Sequence, residues 1–134
     1  MELIEFKELP DESTPASVPN INNNFKYLDT AEEITNQITF NETVTGNTHF
    51  YKRGKEITVF IQGESKTHSA SDVIVSNIPS GYRPEKSLFV PFIKNNAAYG
   101  ILQINSNGTI TVNTISSTSA TGRIYASFVY YIGS

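Results

Sequence analysis

Two histidines, His49 and His68, and the scattered acids Glu42, Glu56, Glu64, Asp72 and Glu85 are the side chains that acid–base or metal chemistry would draw on. Neither histidine belongs to a recognisable metal-binding spacing, and with no cysteine in the chain thiolate ligation is excluded. No glycine-rich phosphate loop opens a helix, and there is no nucleophile elbow. A pair of the acids acting as in a glycosidase would need a cleft between them, and 134 residues with a single helix leave little room for one. His68, in a Ser- and Thr-rich loop, reads as a surface residue. The expectation is a protein that is not an enzyme and uses no cofactor or metal.

Recognition chemistry is better represented. Tyr51, Tyr82, Tyr99, Tyr125 and Tyr131, set among many Asn, Thr and Ser, combine flat apolar faces with amide and hydroxyl groups, as saccharide binding requires. The loop Lys94-Asn95-Asn96-Ala97-Ala98-Tyr99 fits best, with Tyr99 as a platform and Asn95 and Asn96 as hydrogen-bonding partners. Tyr82 and Arg83 would form a second wall from a neighbouring turn or protomer, Arg83 offering a bidentate donor to a carboxylate or phosphate. The plainer readings are an ordinary polar turn for the loop and a packed structural turn around Arg83.

Such groups need rigid elements to hold them. Residues 1–19, with Pro10, Pro15 and Pro19, read as an extended arm. From Asn20, a helix cap after Pro19, Ile21, Phe25, Leu28, Ala31 or Glu32, and Ile34 or Thr35 recur at spacings of three and four, so 20–37 is expected to be a helical stalk. Its stripe is narrow and a helix this short is marginal alone. Either it packs on the rest of the chain, or it forms the seam of a trimer or dimer.

From Ile38 to the end the period becomes two, and 38–134 is expected to be an all-β head. Thr48–Lys52 and Glu56–Gln62 flank an Arg53-Gly54-Lys55 turn, Asp72–Asn77 follows, and Pro91 within Lys86–Ile93 points to a sheet edge or bulge. Residues 99–112 form a hairpin whose register can be argued. A two-residue Asn107-Gly108 loop would put Ile104 and Ile110 on opposite faces. A three-residue loop, Ser106-Asn107-Gly108, pairs Ile104 with Ile110 and Leu102 with Val112, and requires a left-handed Gly108. The last strand, Arg123–Ile132, is apolar on both faces, as a central or interface strand would be. About seven or eight short strands with frequent turns predict an antiparallel β-sandwich or jelly-roll-like head with a short N-terminal α-helix.

Composition agrees. Only 17% of residues are charged, and β-branched, aromatic and turn-forming residues fill the chain. A formal net charge of −3 gives no electrostatic footprint for nucleic acid. No apolar run approaches the ~20 residues of a membrane-spanning helix, so no membrane insertion is expected. The N-terminus lacks a secretory n- and h-region, which fits a soluble protein made without export.

Two stretches carry a resemblance. Pro79-Ser80-Gly81-Tyr82-Arg83-Pro84, then Gly100-Ile101-Leu102-Gln103-Ile104, Asn107-Gly108-Thr109-Ile110 and Ala126-Ser127-Phe128-Val129-Tyr130-Tyr131, resemble the C-terminal head domains of bacteriophage tail-fibre and baseplate receptor-binding proteins of Gram-positive hosts. Asp11-Glu12-Ser13-Thr14-Pro15 and Asn20-Ile21-Asn22-Asn23-Asn24-Phe25 look like the N-terminal segments of such proteins. The chain is much shorter than many relatives, which have long shafts. The resemblance implies a virion protein assembled in the host cytoplasm, in contact with other virion proteins. It also implies a homotrimer with Ile21, Phe25, Leu28 and Ile34 at its interface, and binding of host cell-surface polysaccharide. A purely structural virion component, such as a head fibre, decoration protein or fibre adaptor, is the alternative. A bacterial carbohydrate-binding or adhesin module is another.

Overall fold

The structure, a computed structural model, describes residues 31–133. The arm 1–19 and the helix positions Ile21, Phe25 and Leu28 lie outside the described residues. The compact unit that carries the head begins at Glu32 rather than at residue 38.

Among the described residues nine strands follow one another: β1 (Glu32–Glu33), β2 (Thr39–Phe40), β3 (His49–Arg53), β4 (Glu56–Gln62), β5 (Val73–Asn77), β6 (Leu88–Lys94), β7 (Tyr99–Ile104), β8 (Ile110–Ile115) and β9 (Ile124–Tyr131). All pair antiparallel into one sheet of order β1-β3-β4-β9-β6-β7-β8-β5-β2. The fold is thus all-β, and the sheet curls into a half-barrel. The curl does for this chain what two stacked layers do in a sandwich, closing one inner face on itself. Alternation sorts the longer strands: Ile57, Val59 and Ile61 of β4, Ile124 and Tyr130 of β9, and Leu102 and Ile104 of β7 face the core.

The ends of the sheet explain the curl. β1 lies at one edge and β2 at the other, yet only residues 34–38 separate them. At no more than ~3.5 Å per residue, that link keeps the two edges within roughly 20 Å of each other. Within it, Ile34 and Ile38 point inward at 0% and 7% exposure, across the mouth of the half-barrel. Ile34 N–H donates to the Phe50 carbonyl at 2.8 Å, and Thr35 Oγ1 accepts from Phe50 N–H at 2.8 Å.

This corrects the expected stalk at its C-terminal end. Glu32 and Glu33 pair with Lys52 and Tyr51 as a strand, and Thr35–Gln37 is a single 3-10 turn. Ile34 is a core residue and cannot be a seam residue of a trimer. Pairing with β3 and burial of Ile34 outweigh the local helical spacing, which is a weak constraint beside tertiary contacts.

A second correction concerns His68. It is 1% exposed, and its Nε2 lies 2.9 Å from Oε2 of Glu42, also buried. Because a carboxylate only accepts, Nε2 carries the hydrogen, and Nδ1 is buried without a hydrogen-bond partner among the described residues. Glu42 Oε1 accepts from Glu64 N–H at 2.8 Å. Lys94, at the end of β6, is 2% exposed and donates to the carbonyls of Lys66 (2.8 Å) and Ala120 (2.9 Å). Burial holds its ammonium below the usual lysine range, opposed by the Glu42 and Asp72 carboxylates. These buried polar contacts fasten the 63–72 and 116–123 connections to the sheet, where apolar packing is sparse.

The β7–β8 hairpin has the argued register, Leu102 with Val112 and Ile104 with Ile110, and Gly108 has φ of 94°. The preceding β6–β7 hairpin repeats the geometry. Asn105 N–H bonds the Thr109 carbonyl and Gly108 N–H the Asn105 carbonyl, just as Lys94 N–H bonds Ala98 and Ala97 N–H bonds Lys94. The left-handed position there is filled by Ala97, φ 74°. A side chain at 108 would also meet the Arg83 guanidinium and the Ile78 carbonyl. Gly108→Val therefore should cost about 1 kcal/mol or more and lower Tm by several degrees, whereas Ala97→Gly should raise it. Melting curves of the two variants check the pair; equal shifts of one sign would refute the shared turn geometry.

Candidate functional site

On an antiparallel sheet with one solvated face, the outward positions are ordinarily polar. Here they are not. Phe60, Phe89, Ile93, Tyr99, Val129 and Tyr131 all stand outward at 44–67% exposure. Exposed apolar side chains gathered on one sheet face make that face a candidate place of contact.

Register arranges these residues in rows. Gln62 pairs with Tyr125, Tyr125 with Ile93, and Ile93 with Tyr99, so one row crosses β4, β9, β6 and β7. In the next row Phe60 stands beside Ser127, and His49 beside Phe60. Tyr51 meets Phe60 edge-on with ring centroids 6.4 Å apart, and the His49 ring stacks on Tyr51 at 5.5 Å. The β6–β9 ladder stops at Ile93, two residues short of Pro91, which has no N–H to continue it. Pro91 was expected at an edge or bulge; it lies inside the sheet, where this ladder ends.

The small side chain of Ser127 and the gap at Pro91 together leave a groove of about 520 Å³ in the outer face. Phe60 forms one wall, and Pro91 and Ile93 form the other. Tyr125, Gln62 and Asn47 line one end. Those three are ordered by their own hydrogen bonds: Asn47 Nδ2 donates to Gln62 Oε1 at 2.8 Å, and Gln62 Nε2 to the Tyr125 hydroxyl at 3.4 Å. A second depression, of about 320 Å³, lies between Tyr99, Ile101, Thr114 and Ser116.

The residues singled out from the sequence are scattered by comparison. Asn95 Oδ1 accepts from Arg123 N–H at 3.0 Å. The Asn96 amide, in its hydrogen-bonding orientation, accepts from Thr121 N–H (3.0 Å) and Gly122 N–H (3.3 Å). Both acceptors clamp the loop to the 121–123 segment, and Gly122 permits the approach because a Cβ there would collide with both amides. Tyr99 is 65% exposed at the end of the outer row. Arg83 Nε donates to the Ile78 carbonyl at 2.6 Å and its Nη2 to Asn77 Oδ1 at 3.1 Å, so the guanidinium serves the turn beneath the β7–β8 hairpin. The Tyr82 carbonyl accepts from the Tyr130 hydroxyl at 2.5 Å, and burial pushes that hydroxyl above the usual tyrosine range. Arg83 lies beside Gly108, beyond one end of β7, and Tyr99 stands at the other. At ~3.3 Å per residue that is roughly 20 Å, too far for the Tyr82–Arg83 turn to wall a site built on Tyr99 of the same chain.

Sequence reasoning missed Phe60, Ser127 and the Asn47–Gln62 pair. Their alternation was visible, but their meeting depends on pairing β4 with β9, distant in sequence. Among the described residues no group of three or more His, Asp or Glu is placed to hold a metal ion, and no helix is long and apolar enough to cross a membrane. No protein-family model and no curated protein sequence matches this chain.

The clamp yields a contrast. Asn95→Ala/Asn96→Ala should lower Tm by several degrees, by releasing two loops from each other. Tyr99→Ala, removing an exposed ring, should leave Tm within about a degree. Differential scanning calorimetry reads both, and an unaltered Tm in the double variant would remove the clamp.

Proposed function

We propose that this protein is a non-catalytic recognition module of a bacteriophage virion, a tail-fibre or baseplate head that holds a host cell-surface saccharide and works as a homotrimer. The observation that carries the reading is the outer face of the sheet: exposed aromatic and aliphatic side chains in register on a rigid support, beside ordered amides and a hydroxyl. The resemblance of the Pro79–Pro84 turn, the Asn107-Gly108 hairpin and the closing aromatic strand to phage head domains supplies the setting.

The face divides naturally. The groove beside Phe60 and Ser127 suits a small ligand, while Phe89, Val129 and Tyr131, outside it, offer apolar area for contacts between protomers or with other virion proteins. Single saccharide contacts are weak, and three copies on one particle supply the avidity that attachment requires.

The width of the apolar surface equally suits a permanent contact inside a virion, so the second reading is a purely structural component. Two measurements separate them. Sedimentation at micromolar concentration should give a trimer mass; a monomer would remove the homotrimer. Full-length protein should adhere to Gram-positive cells or their purified wall polysaccharide, with adhesion lost on stripping the glycan. A trimer that adheres to no host glycan would leave the structural component in its place.

A further inference from the structure

We infer that the groove between Phe60 and Pro91 is a subsite for an uncharged pyranoside, a short neutral segment of a cell-surface saccharide, and that anionic glycans are excluded from it. The inference rests on the saccharide-binding reading above and adds to it a place and a ligand chemistry.

The size is right for a small ligand, since about 520 Å³ falls within the ~300–1,000 Å³ typical of such sites. The walls come next. A pyranose has one face of C–H groups and a rim of hydroxyls. The exposed ring of Phe60 with Pro91 and Ile93 opposite offers apolar surface to the first. The polar end suits the second. One Asn47 amide hydrogen is spent on Gln62 Oε1, and one Gln62 amide hydrogen on Tyr125. That leaves the Asn47 carbonyl oxygen as an acceptor, with the second amide hydrogens of Asn47 and Gln62 and the Tyr125 hydroxyl hydrogen as donors. Ser127 adds a hydroxyl that both donates and accepts. Adjacent sugar hydroxyls are themselves donor and acceptor at once, so a fixed mixed set matches them, whereas a carboxylate or phosphate needs donors alone.

Charge decides the class. None of the described residues lining the groove carries a formal charge. A desolvated anion without a cation beside it is costly, and recognition of phosphate or carboxylate ordinarily recruits Arg or Lys. Two of the chain's basic residues are committed elsewhere: Lys94 points into the core, and Arg83 bonds its own turn. Arg123 donates through Nη1 to the Gly63 carbonyl at 3.0 Å.

The test is a two-dimensional NMR titration of the full-length protein with methyl glucosides, N-acetylglucosamine and its dimer as neutral probes. Glucuronic acid and glucosamine 6-phosphate serve as anionic counterparts, all at concentrations on the order of 10 mM, where weak single-site binding is readable. At least one neutral probe should shift the signals of Phe60, Ser127 and Ile93, with the anionic probes about tenfold weaker or silent. Ser127→Phe, which fills the groove from an exposed position, should abolish those shifts without lowering Tm. Phe60→Ala should weaken them about tenfold. Shifts by no neutral probe, equal shifts by the anionic ones, or groove shifts that arise from protein concentration alone would each overturn the assignment. Failure of the broader reading looks different. If Ser127→Phe adheres to host cells like wild type, the groove is dismissed and saccharide attachment stands. If neutral probes fill the groove but the protein adheres to no host surface, the subsite stands and the host-attachment role falls.

Discussion

Residues 34–38 tie one edge of the sheet to the other, and this short link sets much of the architecture. A nine-stranded antiparallel sheet left open would expose its inner face and offer two long edges for pairing. Here both edges are two-residue strands drawn from the same stretch of chain, Glu32–Phe40. Such short edges give a neighbouring chain little backbone to pair with. The link also closes the mouth of the half-barrel with Ile34 and Ile38. Because side chains alternate along β4, β6, β7 and β9, gathering the core on the concave side places their intervening side chains on the convex one.

That constraint gives the outer face its meaning. Residues that face the core need no further explanation, whereas Phe60, Ile93, Tyr99, Val129 and Tyr131 remain in water after the core is complete. The β4–β9 ladder, running from Glu56–Tyr131 to Gln62–Tyr125, fixes which of them are neighbours. A slip by one residue would turn Ile57 and Val59 outward, so the register that fills the core is the same one that places Ser127 between Phe60 and the Pro91 gap.

What could be read from the sequence divides along local and non-local lines. The β7–β8 register was legible because a turn and its two flanking strands settle it within about a dozen residues. The strand positions of β4 and β9 were legible from period two. Ile34 was not: steps of three from Leu28 through Ala31 reach it in a helical pattern, and the competing partner, the β3 strand around Phe50, lies in a different part of the chain. Lys94, Asn95 and Asn96 look like a solvated polar loop in sequence, yet each spends a polar group on a backbone more than twenty residues away. His68 was misjudged for the same reason, since Glu42 approaches it only in the fold. The groove was out of reach because three non-consecutive strands build it.

The most direct test of the account is hydroxyl-radical footprinting of side chains, with and without purified host wall polysaccharide bound. The measurement compares Phe60, Ile93 and Tyr125 on the outer face with Tyr82 on the turn at the far end of β7. If the outer face is the working surface, oxidation of the first three falls several-fold on binding while Tyr82 is unchanged. Protection confined to Tyr82, or to residues that precede Glu32, would contradict it.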